Sequence, residues 1–260
     1  MASGERQAEL WGPSAQLWME QHEAYGLPLA EWILERIANG TAAHILDAGC
    51  GSGGSVALAA ARGLQVTATD VAIEMLELCK RRVPRASYHV ADSEALPFAD
   101  GTFDAVLALN SLQFTESPVI ALREFARVTK ADARIGLACF GDPAQSDFAV
   151  VGAEVRKLFR EPPRFEGPFA LSPPAKLHAV IEHAGLHILE QADIELERQF
   201  ASFEEFWQSQ AGTGATRYSV QELGEAPVRE AMRAACLRFT GDGGRVSFRN
   251  TFHAVICGKR

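Results

Sequence analysis

The sequence predicts an α/β protein built on a doubly wound, mostly parallel sheet with helices on both faces, because short apolar runs alternate with segments of helical periodicity. The apolar runs are nearly continuous, which is typical of parallel strands that are covered on both faces. Seven runs are expected to form strands: HILDA, QVTATD, SYHVAD, FDAVLALN, RIGLACF, HILEQADIEL and VSFRNTFHAVICG. Helices are expected around residues 56–61, 74–82 and 118–128.

Local capping signals predict where several helices start. A serine followed by proline suits an N-cap with proline at the first helical position, and a serine followed three residues later by glutamate has the capping-box spacing. Four pairs carry such signals: Ser117 with Pro118, Ser172 with Pro173, Ser202 with Glu205, and Ser219 with Glu222. Helices are therefore expected to start near residues 118, 173, 203 and 220.

The composition argues against several kinds of partner and location. The chain of 260 residues has a formal net charge of −8 and a pI near 5.4, whereas nucleic-acid binding favours a positive surface. Its five cysteines are odd in number and never spaced as CxxC, which favours reduced thiols, no metal and a cytoplasmic location. No segment, including the N-terminal MASGERQAELWG, has the apolar run of a signal peptide or a membrane span.

A glycine-rich turn follows the first predicted strand, in HILDAGCGSGG. Gly49, Gly51 and Gly53 occupy every second position before a segment rich in Ala and Leu that is expected to be helical. Glycine lets a ligand approach the backbone closely, and a helix N-terminus presents unpaired N–H groups. Gly54 completes the GxGxxG pattern of dinucleotide-binding proteins, so the glycines alone leave S-adenosylmethionine (SAM) and NAD as alternative ligands.

Three aspartates near this turn bear on that choice. Asp47 lies two residues before Gly49, where its charge would favour the cationic amino and sulfonium groups of SAM and would repel a pyrophosphate. Asp70, at the end of the second predicted strand, is suited to accept hydrogen bonds from the ribose hydroxyls of either ligand. Asp92, after the third strand, is suited to accept one from the exocyclic amine of an adenine.

The combination of LDAGCGSG, TATDV and ADSEALPFADGTFDAVLALNSLQF resembles the class I SAM-dependent methyltransferases, over about residues 43–140. Its NSLQF end is similar to the branch that contains malonyl-carrier-protein and trans-aconitate methyltransferases, although Gln113 stands where the family often carries His. The resemblance implies a Rossmann-like sheet of seven strands with an antiparallel last strand, SAM as the cofactor and a small-molecule methyl acceptor. It implies cofactor contacts from Asp47, Gly49, Gly51, Ser52 and Gly53 in the loop, Asp70 at the ribose, Val71 against the adenine ring, Asp92 and Ser93 at the adenine edge, and Asn110 near the methionine end.

The resemblance to these methyltransferases divides the chain into four expected parts. They are a helical cap at 1–40, a SAM-binding core at 41–140, an acceptor-side insertion with helices and the sixth strand at 141–220, and the last helix and strand at 221–260. The cap is expected to hold one or two helices, the second in PLAEWILERIANG and ended by Gly40. Two helices are expected between the last two strands. The proline-rich stretch EPPRFEGPFALSPP is expected to form a loop that folds over another part of the molecule, because its phenylalanines are unlikely to be left in water.

Three functions are compatible with the sequence. The favoured one is SAM-dependent methyl transfer to oxygen, nitrogen or carbon of a small molecule, as in secondary metabolism. The alternatives are a cyclase or binding protein that retains SAM without using its methyl group, and an NAD-dependent oxidoreductase. In-line methyl transfer depends mainly on alignment and the exclusion of water, and a base is needed only if the acceptor must lose a proton. No catalytic residue and no oligomeric state are assigned.

The residues outside the core supply candidates for the acceptor pocket. Aromatic residues expected to form an apolar pocket are Trp11, Trp18, Tyr25, Phe165, Phe169, Phe206, Trp207 and Tyr218. His22, Tyr25 and His178 are weak candidates for a base, and Arg160, Arg164 and Arg217 are the cations that an acidic acceptor would use. Asp104 is expected to be structural, because a carboxylate at the start of a strand is more often a turn or capping residue.

Overall fold

The computed structural model describes residues 3–38, 44–161 and 167–259, and Gly40, Arg164 and Phe165 lie outside the described residues. The strands are β1 His44–Ala48, β2 Gln65–Asp70, β3 Ser87–Val90, β4 Phe103–Leu109, β5 Thr129–Phe140, β6 Leu186–Phe200 and β7 Val246–Lys259. The helices are α1 Ser3–Trp11, α2 Ala15–Gln21, α3 Glu23–Ile37, α4 Gly54–Ala61, α5 Ile73–Arg82, α6 Pro118–Val128, α7 Asp147–Arg156, α8 Pro174–His183, α9 Phe203–Gln210, α10 Gly214–Leu223 and α11 Glu225–Cys236.

All seven strands belong to one sheet, in the order β3-β2-β1-β4-β5-β7-β6. Strands β1 to β5 run parallel to one another, whereas β7 lies antiparallel between β5 and β6. The predicted doubly wound, mostly parallel sheet with an antiparallel last strand is therefore confirmed. The chain order reverses between β1 and β4, and ligands of open α/β sheets bind beyond the carboxyl ends of the strands at such a point.

Apolar residues cover both faces of the sheet. The adjacent residues Ile45 and Leu46 of β1 are both fully buried, but they belong to different apolar clusters. One cluster joins Ile45 to α3, α4 and α5, and the other joins Leu46 to α6 and α8. Because successive side chains of a strand point to opposite faces, this double cover explains why β1 is a continuous apolar run rather than an alternating one.

Two of the predicted helix caps are confirmed. The Ser117 side chain accepts a hydrogen bond from the Ile120 N–H at the start of α6, with proline at the first helical position. The Ser202 side chain accepts one from the Glu205 N–H at the start of α9, and the Glu205 carboxylate accepts one from the Ala201 N–H. Both signals are local, since each bond joins residues three or four positions apart.

The other two predicted caps are wrong. Ser172 does not cap α8; its hydroxyl donates to the Phe140 carbonyl at the end of β5, 2.9 Å away, and α8 begins at Pro174. Ser219 lies inside α10, where its hydroxyl donates to the Ala215 carbonyl. The cap of α10 is Thr213, whose side chain accepts from the Thr216 N–H. Serine bonds as readily to a carbonyl as to an N–H, and sequence spacing does not separate these outcomes.

The regions outside the sheet contain more helices than predicted. The N-terminal region forms three helices, and α3 begins at Glu23, five residues before the proline at which it was expected to begin. Three helices, α9 to α11, lie between β6 and β7, where two were expected. Helices α7, α9 and α11 pack with Phe200 at the end of β6 and Phe248 near the start of β7 in an apolar cluster separate from the two that cover the sheet. Within the described ranges, no helix combines the length and apolar character required to cross a membrane.

Candidate functional site

The glycine turn lies between β1 and α4, at the carboxyl end of the sheet. The Gly49 and Cys50 N–H groups both donate to the Thr69 carbonyl of β2, at 2.8 and 2.9 Å. Gly49, Gly51 and Gly53 have φ angles of 74°, 53° and 91°, in the left-handed region that side-chain-bearing residues adopt at a cost. The predicted requirement for glycine at these three positions therefore has a conformational cause.

Helix α3 supports this turn through Glu23, which the sequence analysis missed. Glu23 Oε1 accepts hydrogen bonds from the Ser52 hydroxyl at 2.6 Å and from the Gly54 N–H at 2.8 Å. Glu23 Oε2 pairs with Arg82 at the end of α5. The carboxylate thus satisfies an N–H group at the start of α4, where negative charge is favourable. These partners are distant along the chain, and no sequence pattern indicates the contact.

Asp47 is buried behind the turn. Its exposed fraction is 1%, and its Oδ2 accepts a hydrogen bond from the Ser55 hydroxyl of α4 at 2.6 Å. Its Oδ1 has no hydrogen-bond partner within the described part of the chain. Burial raises the pKa of Asp47 to about 7; the Ser55 hydrogen bond opposes this shift, and the Asp70 and Glu23 carboxylates add to it.

Asp70 joins the end of β2 to the glycine turn. Its Oδ2 accepts a hydrogen bond from the Gly51 N–H and its Oδ1 accepts one from the Ala72 N–H, both at 2.9 Å. Burial raises the pKa of Asp70, whereas the hydrogen bonds from these N–H groups oppose the shift. Each carboxylate oxygen has a second lone pair, so the side chain retains the capacity to accept from a ligand.

The residues after β2 and β3 lie beneath helix α1. Val71 and Asp92 approach Gly4 of α1 so closely that a Cβ atom on Gly4 would lie 3.3 Å from Val71 Cγ1 and 2.8 Å from Asp92 Oδ2. Asp92 Oδ1 accepts a hydrogen bond from the Glu94 N–H at 3.0 Å, which orders the turn that contains Ser93. Helix α1 thus covers the ends of β2 and β3.

The end of β4 carries two side-chain amides with unpaired atoms. Asn110 has a left-handed φ of 50° and its N–H donates to the Ala138 carbonyl, but its buried Oδ1 has no partner within the ranges described. Gln113 is 4% exposed, and neither its Oε1 nor its Nε2 has a partner there. Between them, the Ser111 hydroxyl donates to the Ala48 carbonyl at 2.7 Å, which joins this segment to the glycine turn.

A cavity of about 510 Å³ connects these elements, which is within the usual range for small-molecule sites. Seven of the ten residues predicted to bind the cofactor line it: Gly49, Gly51, Asp70, Val71, Asp92, Ser93 and Asn110. Asp47, Ser52 and Gly53 do not line it; they lie behind the turn, where Asp47 and Ser52 bond to Ser55 and Glu23. The structure therefore brings the predicted residues together around one space, with three of them in supporting positions.

Aromatic rings line much of the same cavity. Six of the predicted aromatic residues do so: Trp11, Trp18, Tyr25, Phe169, Phe206 and Tyr218. Trp207 does not line the cavity. Five further rings were not predicted: Phe114, Phe140, Phe148, Phe159 and Phe252. The described part of the predicted loop contributes Gly167 and Pro168 beside Phe169. The larger part of the lining is thus apolar, as is typical of a site that excludes water.

The three candidate bases are occupied by other interactions. His22 lines the cavity, but Nε2 contacts the Ser209 carbonyl at 2.6 Å and Nδ1 contacts the Arg198 guanidinium at 2.8 Å. Burial and the Arg198 charge lower the pKa of His22 to about 3. The Tyr25 hydroxyl donates to the Leu196 carbonyl, and burial raises its pKa to about 12. His178 is bonded to a glutamine and does not line the cavity.

The predicted cations lie elsewhere. Arg160 and Arg217 do not line the cavity, whereas Arg156 of α7, which was not predicted, does. Asp104 accepts hydrogen bonds from the His44 N–H at 2.8 Å and from the Lys130 ammonium at 2.5 Å, so it joins the starts of β1, β4 and β5 as a structural residue. Within the described ranges, no group of three or more His, Cys, Asp or Glu side chains is arranged to hold a metal ion.

Residues 46–137 match a family of methyltransferase domains. The chain is similar to a malonyl-[acyl-carrier protein] O-methyltransferase of Erwinia pyrifoliae, with 32% identity over 75% of this chain and 71% of the relative. It is also similar to the O-methyltransferase resE of Aspergillus sclerotiorum, with 30% identity over 61% of this chain and 60% of the relative. The matched family domain includes the glycine turn and the ends of β2 to β4. The alignment with the Erwinia pyrifoliae relative spans 196 residues and is therefore longer than that domain.

Solved structures have the same fold. One is a geranyl diphosphate C-methyltransferase from Streptomyces coelicolor in complex with Mg²⁺, geranyl diphosphate and S-adenosyl-L-homocysteine. It has a TM-score of 0.54 and 15% identity, and the match covers 89% of this chain and 79% of that chain. At this level of identity the likeness concerns the fold. It includes the helical regions outside the matched methyltransferase domain.

Proposed function

The chain belongs to the class I SAM-dependent methyltransferases, and we propose that the aromatic part of its cavity holds an apolar small-molecule acceptor while the strand ends hold SAM. One observation carries this proposal: seven predicted cofactor residues and eleven aromatic rings line one continuous cavity. A shared cavity is what methyl transfer needs, because donor and acceptor must meet in line with water excluded.

The residues of the cavity fit SAM on their own chemistry. The glycine turn lets a ligand approach the backbone of Gly49 and Gly51 closely. The Asp70 carboxylate has lone pairs that can accept from ribose hydroxyls. Asp92 and Ser93 offer polar atoms to the adenine edge. The Asn110 Oδ1, which has no hydrogen-bond partner among the described residues, suits a donor such as the amino group of the methionine part.

The chain's own residues contribute alignment more than proton transfer. When bound, SAM supplies an electrophilic methyl carbon on a sulfonium. The aromatic rings exclude water and position the acceptor against that carbon. His22 and Tyr25 hold α3 and α2 against β6 and α9 through the bonds described above, so they act as structural groups. No proton-accepting side chain is assigned, which suits an acceptor whose proton is lost to solvent.

The function is tested by titrating the purified protein with SAM, S-adenosylhomocysteine and NADH while tryptophan emission is followed. Trp11 and Trp18 line the cavity, so SAM and S-adenosylhomocysteine are expected to change the emission and NADH is not. Binding of NADH alone would contradict the cofactor assignment and support an oxidoreductase. Incubation with SAM and a panel of apolar hydroxylated acceptors is then expected to release S-adenosylhomocysteine; SAM binding without release from any acceptor would support the non-transferase alternative.

The affinity for SAM is expected to rise with pH through the titration of Asp47. Its pKa is raised to about 7 in the ligand-free protein, and a cationic ligand favours the ionised form. At low pH the Asp47 carboxyl must therefore lose its proton when SAM binds. The affinity for SAM is expected to increase by up to about tenfold per pH unit below the pKa of about 7 and to level off above it. Calorimetry between about pH 5.5 and about pH 8.5 measures the slope.

Asp47→Asn is expected to lower the affinity and remove this slope, because the variant has no carboxyl to titrate. Asp104→Asn is the control, since Asp104 contacts His44 and Lys130 outside the cavity. In the ligand-free protein the raised pKa has the opposite sign of effect: the contribution of Asp47 to stability falls as the pH rises from its unfolded pKa of about 4 towards about 7. An unchanged slope in Asp47→Asn would contradict the role of Asp47.

We also propose that the protein acts in the cytoplasm on a small molecule rather than on nucleic acid. All five cysteines are free and buried, which is compatible with a reducing compartment. The net charge of −8 opposes attraction to polyphosphate chains. Division into a cap, a core and an acceptor-side insertion is likewise a proposal, supported by the contribution of α1 and α2 residues to the cavity lining.

A further inference from the structure

We infer that Gln113 holds a hydroxyl group of the acceptor, so that the enzyme is an O-methyltransferase of apolar, hydroxylated molecules. The inference rests on the proposed function, because it assigns the acceptor of the same cavity. It comes from a comparison of the buried polar side chains that line the cavity and of the hydrogen bonds that each one makes.

Six polar side chains lining the cavity have exposed fractions of 9% or less: Gln7, His22, Ser55, Gln113, Thr216 and Ser219. Five of them already have a partner within the protein. Gln7 accepts from the Trp11 indole, Ser55 donates to Asp47, and the other three bond to Ser209, Thr213 and Ala215. Gln113 differs, since neither its Oε1 nor its Nε2 has a partner within the described residues.

An unpaired amide in a buried position is unfavourable unless a ligand completes its hydrogen bonds. Gln113 lies in a short 3-10 helix, Leu112–Phe114, that follows β4, and its neighbour Phe114 packs edge-on against Trp11 with ring centroids 5.6 Å apart. The Gln113 amide is therefore a neutral polar group in a cavity lining that is largely aromatic. Nothing in the motif resemblance gives Gln113 a contact with the cofactor, which leaves the acceptor as its partner.

The chemistry of the amide selects the kind of group that it holds. Oε1 accepts a hydrogen bond and Nε2 donates one, and a hydroxyl does both. A carboxylate only accepts, so it would leave Oε1 unpaired and facing a negative charge. An ammonium only donates and has no lone pair for the methyl carbon. A hydroxyl that donates to Oε1 keeps a lone pair directed away from the amide, available for the reaction.

Methyl transfer to this oxygen is balanced without a further reactant. The O–CH₃ bond forms as the S–CH₃ bond of SAM breaks, and the bonding pair remains on sulfur. The oxygen keeps its proton through the transfer, hydrogen-bonded to Gln113 Oε1, and loses it to bulk water as the products leave the cavity; the products are a methyl ether, S-adenosylhomocysteine and a proton. In this scheme Gln113 orients the O–H group and gains or loses no proton.

The test measures acceptor binding by calorimetry in protein saturated with S-adenosylhomocysteine. The probes are 2-naphthol and 2-naphthoic acid, which share an aromatic frame and differ in the polar group. Wild-type protein is expected to bind 2-naphthol at least about tenfold more tightly than the acid, and Gln113→Leu is expected to lose about tenfold for 2-naphthol. Affinity for S-adenosylhomocysteine is expected to change by less than about twofold.

Gln199→Leu is the control. Gln199 of β6 does not line the cavity and its Nε2 donates to the Glu197 carboxylate at 2.9 Å, so the same substitution is expected to leave 2-naphthol affinity unchanged. The melting temperature supplies a second readout. Because the Gln113 amide has no partner within the described residues, leucine is expected to maintain or raise the melting temperature of the ligand-free protein.

Five results would overturn the inference: tighter binding of the acid, no binding of either probe, a loss of S-adenosylhomocysteine affinity in Gln113→Leu, a lower melting temperature of that variant, or unchanged 2-naphthol affinity of that variant. The first indicates an acidic acceptor, which Arg156 in the lining could contact, and the third assigns Gln113 to the cofactor. Failure of the wild-type protein to bind S-adenosylhomocysteine would instead contradict the proposed function, so the two failures are distinguishable.

Discussion

Asp70→Ala is expected to weaken SAM binding by at least about 100-fold. If the Asp70 carboxylate accepts from two ribose hydroxyls, each charge-assisted bond contributes about 1.5–3 kcal/mol, and each 1.4 kcal/mol corresponds to about tenfold in affinity. The variant also removes the acceptor for the Gly51 and Ala72 N–H groups, so the turn that approaches the ligand loses its attachment to β2. Calorimetric titration with SAM measures the loss.

A folding defect must be separated from a lost contact. Asp104→Ala removes a carboxylate that joins His44 and Lys130 outside the cavity, and it is expected to lower the melting temperature while SAM affinity changes by less than about twofold. Asp70→Asn keeps an oxygen for one backbone N–H and removes the charge, so it is expected to fold and still to lose about tenfold in affinity. Wild-type affinity in a folded Asp70→Asn would contradict the ribose assignment.

The sheet could be predicted from sequence because its signals are local or repetitive. β1 and β2 coincide with the predicted segments HILDA and QVTATD, and each segment directly precedes a predicted site residue or turn. Strand β6 extends beyond the predicted run through exposed polar residues such as Glu197 and Gln199. Pairing with β7 stabilises that extension. The apolar pattern of the sequence does not indicate this pairing.

The contacts that complete the site are mostly long-range, and they explain what the sequence did not indicate. Glu23 reaches Ser52 and Gly54 across about thirty residues of sequence, and Ser172 bonds to Phe140 over a similar separation instead of capping a helix. Motif spacing predicted Asp70, Asp92, Gly49 and Gly51, which line the cavity, because their positions follow strand ends. It gave no indication that Asp47 is buried behind the turn, since burial depends on packing against α4.

The lack of hydrogen-bond partners for Gln113 within the described residues is likewise a feature that the sequence does not indicate. The motif resemblance presents Gln113 only as a residue that stands where the family often carries His. The structure adds that its amide is buried and that both polar atoms lack partners within the described residues. A residue whose importance lies in missing hydrogen bonds can be recognised only when every neighbouring donor and acceptor has been located. The acceptor chemistry therefore depends on structural detail, whereas the cofactor follows from motifs.

Gly49→Ala is expected to reduce SAM affinity by at least about tenfold and to lower the melting temperature by several degrees. Gly49 has a φ of 74°, and a Cβ atom there would lie 2.4 Å from Ser111 Cβ and 3.0 Å from Ser111 Oγ. The Ser111 hydroxyl donates to the Ala48 carbonyl, so displacement of Ser111 would separate the β4 end from the glycine turn. Asn110, which lines the cavity next to Ser111, would move with it.

Gly63→Ala separates the cost of the positive φ angle from the cost of the contact with Ser111. Gly63 has a comparable φ of 81°, but a Cβ atom there would meet nothing within 4 Å. The variant is therefore expected to show only the dihedral cost of about 1–2 kcal/mol in the free energy of unfolding, with unchanged SAM affinity. In the double variant Gly49→Ala/Ser111→Gly the clash is relieved, and SAM affinity is expected to recover in part. Equal losses of stability and affinity in Gly49→Ala and Gly63→Ala would show that the contact with Ser111 has no role in the site.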